Sequence, residues 1–171
     1  MPISVIQQSF LCFALAVAVV TDVRSHKVFN WLTYPSAAVA LVLAANGGWP
    51  TLMVALQGFG AGLLLGLAYM VFFRMGAGDA KLLIVIGAFT SASFVLHAAM
   101  YGAILGAPMA LFVMWRRGVF GYTLKNMGVN VLMKASGATD ISIADNAKAG
   151  KLPYAVPIAA GVVIAALVRG F

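Results

Sequence analysis

Long apolar runs separated by short polar stretches extend along this chain from one end to the other. Most of these runs contain roughly 15–23 residues, the length that an α-helix needs to cross a hydrocarbon layer about 30 Å thick. The pattern therefore predicts an all-α, polytopic integral membrane protein with about six transmembrane helices.

Polar breaks between the runs predict the ends of the helices. The apolar sequence over residues 82–115 is too long for one helix and too short for two ordinary ones, so the polar stretch at 90–93 is expected to divide it into a short fourth helix and a full fifth one. The other predicted helices cover residues 3–21, 31–45, 51–73 and 152–168.

Four glycines lie in the third run, at positions 58, 60, 62 and 66. Small residues at such spacing allow helix backbones to approach closely, which is a main source of helix association in lipid. We expect these glycines to form a packing face.

Composition supports a membrane protein, because 63% of the 171 residues are hydrophobic and only 9% are charged. A water-soluble domain of this size needs more polar surface. The formal charge of +7 comes from eleven Lys and Arg against four Asp. In a membrane protein such an excess of basic residues indicates which side of the protein faces the cytoplasm and contacts anionic lipid head groups. The lipid bilayer is therefore an expected partner, and nucleic acid is not.

The residue inventory also excludes several kinds of chemistry. Cys12 is the only cysteine, so neither a disulfide nor a cysteine-based zinc site can form within the chain. A zinc protease of the HExxH type needs a glutamate, which the sequence lacks, and no serine lies in a nucleophile-elbow motif. We therefore expect no metal ion and no cofactor.

Basic residues lie in alternate connections between the predicted helices. The first, third and fifth connections contain ten of the eleven Lys and Arg, and Arg169 is the exception. The positive-inside rule assigns these connections to the cytoplasmic side of the inner membrane, with both termini outside. We expect a single domain over residues 1–171 with a cytoplasmic connection at about 116–151, where apolar residues at helical spacing favour an amphipathic surface helix.

Two of the four aspartates lie at the predicted membrane boundary, where a charged side chain is costly. Asp140 and Asp145 belong to the long connection, whereas Asp22 follows the first helix and Asp79 opens the fourth, which brings both to one membrane edge. Taken singly, Asp79 fits a helix N-cap and Asp22 fits an interfacial charge. Taken together, ionisable groups at the membrane boundary favour a functional pair.

Two carboxylates that face each other in a partly desolvated site are expected to share one proton near neutral pH. The ionised member can take a proton from water, while the protonated member hydrogen-bonds the carbonyl of the bond to be cut. This is the chemistry of an aspartic protease.

Residues near the aspartates suit a peptide site. Gly76 and Gly78 lack side chains and would let an extended peptide approach Asp79. Lys81 would favour the ionised carboxylate or bind substrate carbonyls, or else it is an interfacial lysine of the ordinary kind. Lys27 and Asn30 are either interfacial anchors or residues that shape the site.

Three stretches resemble a known family. The sequence GAGD at 76–79 matches the GxGD signature of polytopic aspartic proteases, and with the following residues it is similar to the GxGDxKLL of type IV prepilin peptidases. The stretch DVRSHKVFNWLT at 22–33 resembles that family's first-aspartate motif, with Phe29 where the family has proline. The stretch LPYAVPIAAG at 152–161 resembles a late family segment.

The resemblance implies an aspartic endopeptidase that removes the basic leader from a type IV pilin-like precursor on the cytoplasmic side, with Asp22 and Asp79 catalytic. The chain has no room for the methylating region of large bacterial members, so it is similar to the small peptidases of tight-adherence (Flp) pilus systems. Archaeal preflagellin peptidases share the same core. A small proton-coupled carrier and a non-catalytic assembly subunit stay open as alternatives, and so does the oligomeric state.

The predicted topology can be tested with membrane-impermeant labels. A label placed near Gly48 should react from outside the cell, and labels in residues 116–151 should react only after the cytoplasmic side is opened. A cytoplasmic position of Gly48 would contradict the six-helix topology, and with it the common depth of the two aspartates.

Overall fold

The computed structural model describes residues 4–73, 76–116, 118 and 154–170. Within these residues the chain forms six α-helices and no strand. The helices are α1 (Val5–Ser25), α2 (Asn30–Asn46), α3 (Trp49–Phe73), α4 (Ala77–Phe89), α5 (Ala92–Arg116) and α6 (Ala155–Arg169). The predicted all-α, six-helix fold is confirmed. The amphipathic helix predicted within 116–151 lies outside the described residues.

The chain forms two compact units. The first consists of Met1–Gly106 and Pro153–Phe171, and the second is Ala107–Leu152. In the second unit the described residues are the last turns of α5 and Gly118, and there the rings of Phe112 and Trp115 lie 6.3 Å apart. The expectation of a single domain over residues 1–171 stays a prediction. Both Asp22 and Asp79 belong to the first unit.

Three helices are long and apolar enough to cross a membrane by themselves. The stretches are Val5–Ser25, Trp49–Val71 and Ala92–Val113, with mean hydropathies of 1.7, 1.7 and 1.6. Their large apolar side chains are widely exposed, Val71 for example at 74% and Leu64 at 70%. Such exposure is expected of side chains that face lipid tails, and the chain is a polytopic membrane protein.

The short helix α4 forms the centre of the first unit. Its thirteen residues span about 20 Å, less than the ~30 Å of a hydrocarbon core. Nine of them are buried, and α4 contacts α1, α2, α3 and α6. A helix that is apolar on all sides is stable when other helices enclose it, so the surroundings of α4 determine its position.

A stripe of glycines on α3 allows α4 to pack at very short range. The stripe consists of Gly58, Gly62 and Gly66, which are spaced four residues apart and therefore lie on one face of α3. A Cβ atom at any of them would overlap α4. The contacts are Gly58 on the backbone of Gly87, Gly62 on the backbone of Leu83 and Gly66 on Ala80. The predicted packing face therefore exists, and its partner is α4.

The prediction was wrong for Gly60. A Cβ at Gly60 would meet no atom within 4 Å. The physical reason is helical geometry, since a residue two positions from Gly58 and from Gly62 points roughly 200° away from both.

Close contacts also fix α6 against α5. A Cβ at Gly161 would overlap the backbone at Ala98 and Gly102. Near the other end of α6, Arg169 Nη1 donates to Ser93 Oγ at 3.3 Å. These contacts hold α6 along its length, which matters because its first residues face the aspartates.

The connection between α1 and α2 is short and regular. His26 adopts a left-handed conformation with φ 49° and ends α1, and its N–H donates to the backbone oxygen of Asp22 at 2.8 Å. Phe29 precedes α2 with φ −79° and ψ 143°. These angles are close to those that proline adopts, so Phe29 has the backbone conformation that a proline at this position would take.

The glycine stripe predicts a difference between Gly62→Ala and Gly60→Ala. Both changes add one methyl group and the same helix propensity to α3. Only the change at Gly62 forces α3 and α4 apart, and we expect it to lower the free energy of unfolding by about 1–3 kcal/mol. Thermal unfolding in detergent would measure both variants. Equal midpoints for the two variants would contradict the packing contact.

Candidate active site

The structure places both aspartates slightly deeper in their helices than the sequence predicted. Asp22 was expected to follow the first helix, but α1 continues to Ser25, so that Asp22 lies in its last turn. Asp79 was expected to open the fourth helix, but the N-cap is Gly76 and Asp79 is the third helical residue. The N-cap explanation for Asp79 is therefore wrong, because a different residue occupies that position.

Asp22 is buried, with 5% of its surface exposed. Its Oδ2 accepts a hydrogen bond of 2.9 Å from the backbone N–H of Ala155. Ala155 is the first residue of α6, where backbone N–H groups have no partner within the helix. Since hydrogen bonds to charged acceptors contribute about 1.5–3 kcal/mol, this contact offsets part of the cost of burying the carboxylate.

Asp79 is similarly buried, at 7% exposed. Its carboxylate accepts a hydrogen bond from the backbone N–H of Gly76, the N-cap of α4. A side chain at the third helical position that returns to the N-cap satisfies a free donor, and a negative charge is favourable in the first turn of a helix. The start of α4 is thus organised around this carboxylate.

The two carboxylates are close enough for their charges to interact directly. Both lie beside one apolar cluster of buried side chains. It consists of Ala18, Val28, Leu32, Leu82 and Ala155. Ala18 lies one turn before Asp22, and Leu82 lies about one turn after Asp79, so each aspartate continues the face of its helix that packs on this cluster. Carboxylates from distant parts of the chain therefore meet at one site.

The two glycines before Asp79 have different surroundings. A Cβ at Gly78 would lie 3.1 Å from Cβ of Val28, so the first turn of α4 packs closely on the connection between α1 and α2. Among the described residues, a Cβ at Gly76 would have only Asp79 Oδ2 and Gly78 N within 4 Å, at 3.5 and 4.0 Å. These residues therefore leave more room at Gly76 than at Gly78, where Val28 lies close.

Lys81 points toward α2. Its Nζ donates to Oδ1 of Asn30 and lies 5.7 Å from the centroid of the Tyr34 ring. Residues two apart on a helix do not face each other, which explains why Lys81 and the buried Asp79 have different neighbours. Lys27 is exposed in the connection after α1. The structure thus joins Lys81 to Asn30 and gives Lys27 an exposed position.

A comparison with protein families shows which family this chain belongs to. The sequence model of the type IV leader peptidase family matches residues 9–122, about two thirds of the chain, and includes both aspartates. The chain belongs to the type IV leader peptidase family. It is accordingly a membrane peptidase. No curated protein and no solved structure matched the chain.

The side chains of this peptidase offer little to a metal ion in the part that the structure describes. No group of three or more His, Cys, Asp or Glu occurs among those residues.

Sequence reasoning did not identify three residues that contact or adjoin the site. Ala155 supplies a donor to Asp22, and Val28 packs on Gly78. Tyr154 is the half-buried N-cap of α6, and its phenol lies close enough to Asp79 for that charge to act on it. Tyr154 and Ala155 fall within the late segment at 152–161 that resembles the family, but no role followed from that resemblance. Every residue except proline has a backbone N–H, so the role of Ala155 as a donor cannot be recognised from its side chain.

The contact between Gly78 and Val28 predicts a second-site rescue in this peptidase. Gly78→Ala should displace the first turn of α4 and with it Asp79, and a shift of about 1 Å can lower activity ~100-fold. Adding Val28→Gly removes Cβ and Cγ2 of Val28, the side-chain atoms that the new methyl group would meet at 3.1 and 3.3 Å, and should restore much of the lost activity. Cleavage rates at equal protein levels would measure this. A double variant no more active than Gly78→Ala would contradict the proposed cause.

Proposed function

We propose that this peptidase is an aspartic endopeptidase in which Asp22 and Asp79 form the catalytic pair. The observation that supports the proposal most strongly is the meeting of two buried carboxylates, which belong to α1 and α4 and interact directly. Buried carboxylates are costly, and a purely structural role does not require two of them beside each other.

In the proposed mechanism the pair holds one proton, because two negative charges so close together in a desolvated site are unfavourable. The ionised carboxylate takes a proton from a water molecule, whose oxygen attacks the peptide carbonyl. The protonated carboxyl donates a hydrogen bond to the carbonyl oxygen. Transfer of a proton to the leaving amine then completes hydrolysis, with no covalent intermediate on the protein.

The proposed substrate is a type IV pilin-like precursor, of the kind that tight-adherence (Flp) systems use. The basic leader of such a precursor would stay on the cytoplasmic side while the bond to be cut lies at the membrane edge. The site lies where α1 ends and α4 and α6 begin. We place this end of the helices at the cytoplasmic face of the inner membrane, because the basic connections flank it.

Residues near the pair have proposed supporting roles. The contact between Lys81 and Asn30 would hold the first turns of α4 against α2, and so keep Asp79 in place. The space beside Gly76 would admit the substrate backbone. Lys27, exposed after α1, would face lipid head groups or the polar part of the substrate. These are roles in shaping and binding, distinct from proton transfer.

Asparagine substitutions at all four aspartates test the catalytic pair. Each change keeps the volume of the side chain and removes the charge and the transferable proton. We expect Asp22→Asn and Asp79→Asn each to abolish processing of a co-expressed pilin precursor. The double variant should be no worse, because groups that act as a unit are strongly non-additive.

The matched controls are Asp140→Asn and Asp145→Asn, which lie in the connection at 116–151 and should retain most activity. Protein level in the membrane has to be measured for every variant. Asp79→Asn that accumulates normally and still cuts the precursor at close to the wild-type rate would refute the catalytic role.

A further inference from the structure

Tyr154 adjoins the candidate site, and the mechanism above gives its side chain no role. It directly precedes Ala155, whose N–H is bound to Asp22 Oδ2. Its own phenol lies within reach of the charge of Asp79. The two successive residues at the start of α6 therefore adjoin the two members of the pair, one through the backbone and the other through a side chain.

The backbone around Tyr154 is fixed. Its carbonyl accepts the first hydrogen bond of α6, from Ile158 N–H at 3.2 Å. Close packing of Gly161 on α5 and the bond between Ala155 and Asp22 hold α6 beyond it. The Cα atom of this half-buried residue is therefore held in place before a substrate binds, which favours a preorganised binding group.

The phenol of Tyr154 keeps its proton at neutral pH and can therefore donate a hydrogen bond. Burial raises the pKa of Tyr154 above its usual value of 10.0, and the negative charge of Asp79 raises it further. Among the described residues, Asp22 on α1 bonds the neighbouring Ala155 and Asp79 on α4 acts on the phenol. The charge of Asp79 favours the neutral phenol.

Peptide hydrolysis calls for a donor of this kind. As water attacks, the carbonyl oxygen gains negative charge, and preorganised donors that point at that oxygen lower the barrier. The carboxyl pair holds one proton and so supplies one such donor. A tetrahedral oxygen has lone pairs for a second hydrogen bond.

We propose that Tyr154 binds the substrate and that its phenol O–H donates a hydrogen bond to the carbonyl oxygen of the bond being cut. This inference rests on the proposed catalytic pair and adds a third side chain to it. No bond of Tyr154 forms or breaks, since the phenol keeps its proton throughout.

The test compares Tyr154→Phe with Tyr101→Phe in the full-length enzyme acting on a pilin precursor. Tyr101 is also partly buried and lies on α5, where its ring is 6.5 Å from that of His97. Each change removes only the phenolic oxygen. We expect Tyr154→Phe to lower kcat ~100-fold with little change in KM, because the donor acts on charge that develops in the transition state. Tyr101→Phe should stay close to wild type.

A second measurement replaces Tyr154 by 3-fluorotyrosine, which keeps the shape of the side chain and makes the phenol more acidic. A more acidic phenol is a stronger hydrogen-bond donor, so kcat at a fixed neutral pH should rise if the phenol donates to the developing negative charge. A purely structural role would leave kcat unchanged, and an unchanged kcat would overturn the proposal whether or not Tyr154→Phe accumulates.

The outcomes separate this proposal from the one on which it rests. Normal kcat in Tyr154→Phe together with inactive Asp22→Asn and Asp79→Asn would overturn the role of Tyr154 and leave the pair intact. Full activity in the aspartate variants would overturn the catalytic pair, and the role of Tyr154 with it. Reduced kcat in Tyr154→Phe, inactive aspartate variants and a raised kcat with 3-fluorotyrosine would support both.

Discussion

The hydrogen bond between Ala155 N–H and Asp22 Oδ2 connects the two ends of the chain at the site. A carboxylate enclosed by helices is tolerated only where a donor satisfies it, and a free N–H at the start of a helix is available only where that helix begins. The position of α6 along the membrane is thereby tied to Asp22. The same contact brings Tyr154 beside Asp79, so one backbone donor organises most of the candidate site.

The second constraint is the packing of α4. A short helix with nine buried residues has no preferred depth of its own, because its apolar side chains suit any buried position. Backbone contacts at the glycine stripe of α3 remove that freedom, since the stripe fits α4 in one register. Contact between Gly78 and Val28 then fixes the first turn of α4 against the connection that follows Asp22. The contacts of α4 with α3 and with Val28 therefore determine the position of Asp79.

Much of this architecture follows from simple patterns. Apolar runs of membrane length predict helices because the bilayer requires every backbone polar group to be paired within its own segment. The break near Thr90 was predicted from polar residues, and α4 ends at Phe89. Helix ends were less accurate, by four residues at the end of α1, because the last turn is decided by local hydrogen bonds such as that of His26. Glycine spacing predicted a packing face, but only contact with α4 distinguished Gly62 from Gly60.

The sequence by itself determined the class of protein, the number of helices in the described part, and the two aspartates that merit attention, because hydrophobicity and charge are properties of residue types. It also determined the family, through motifs that are local in the chain. Tertiary structure decided that the carboxylates lie close together, that Val28 lies against Gly78, and that Lys81 reaches Asn30. It also decided the positions of Ala155 and Tyr154 beside the aspartates. A backbone N–H and a phenol can act on a carboxylate only when the fold brings that carboxylate next to them.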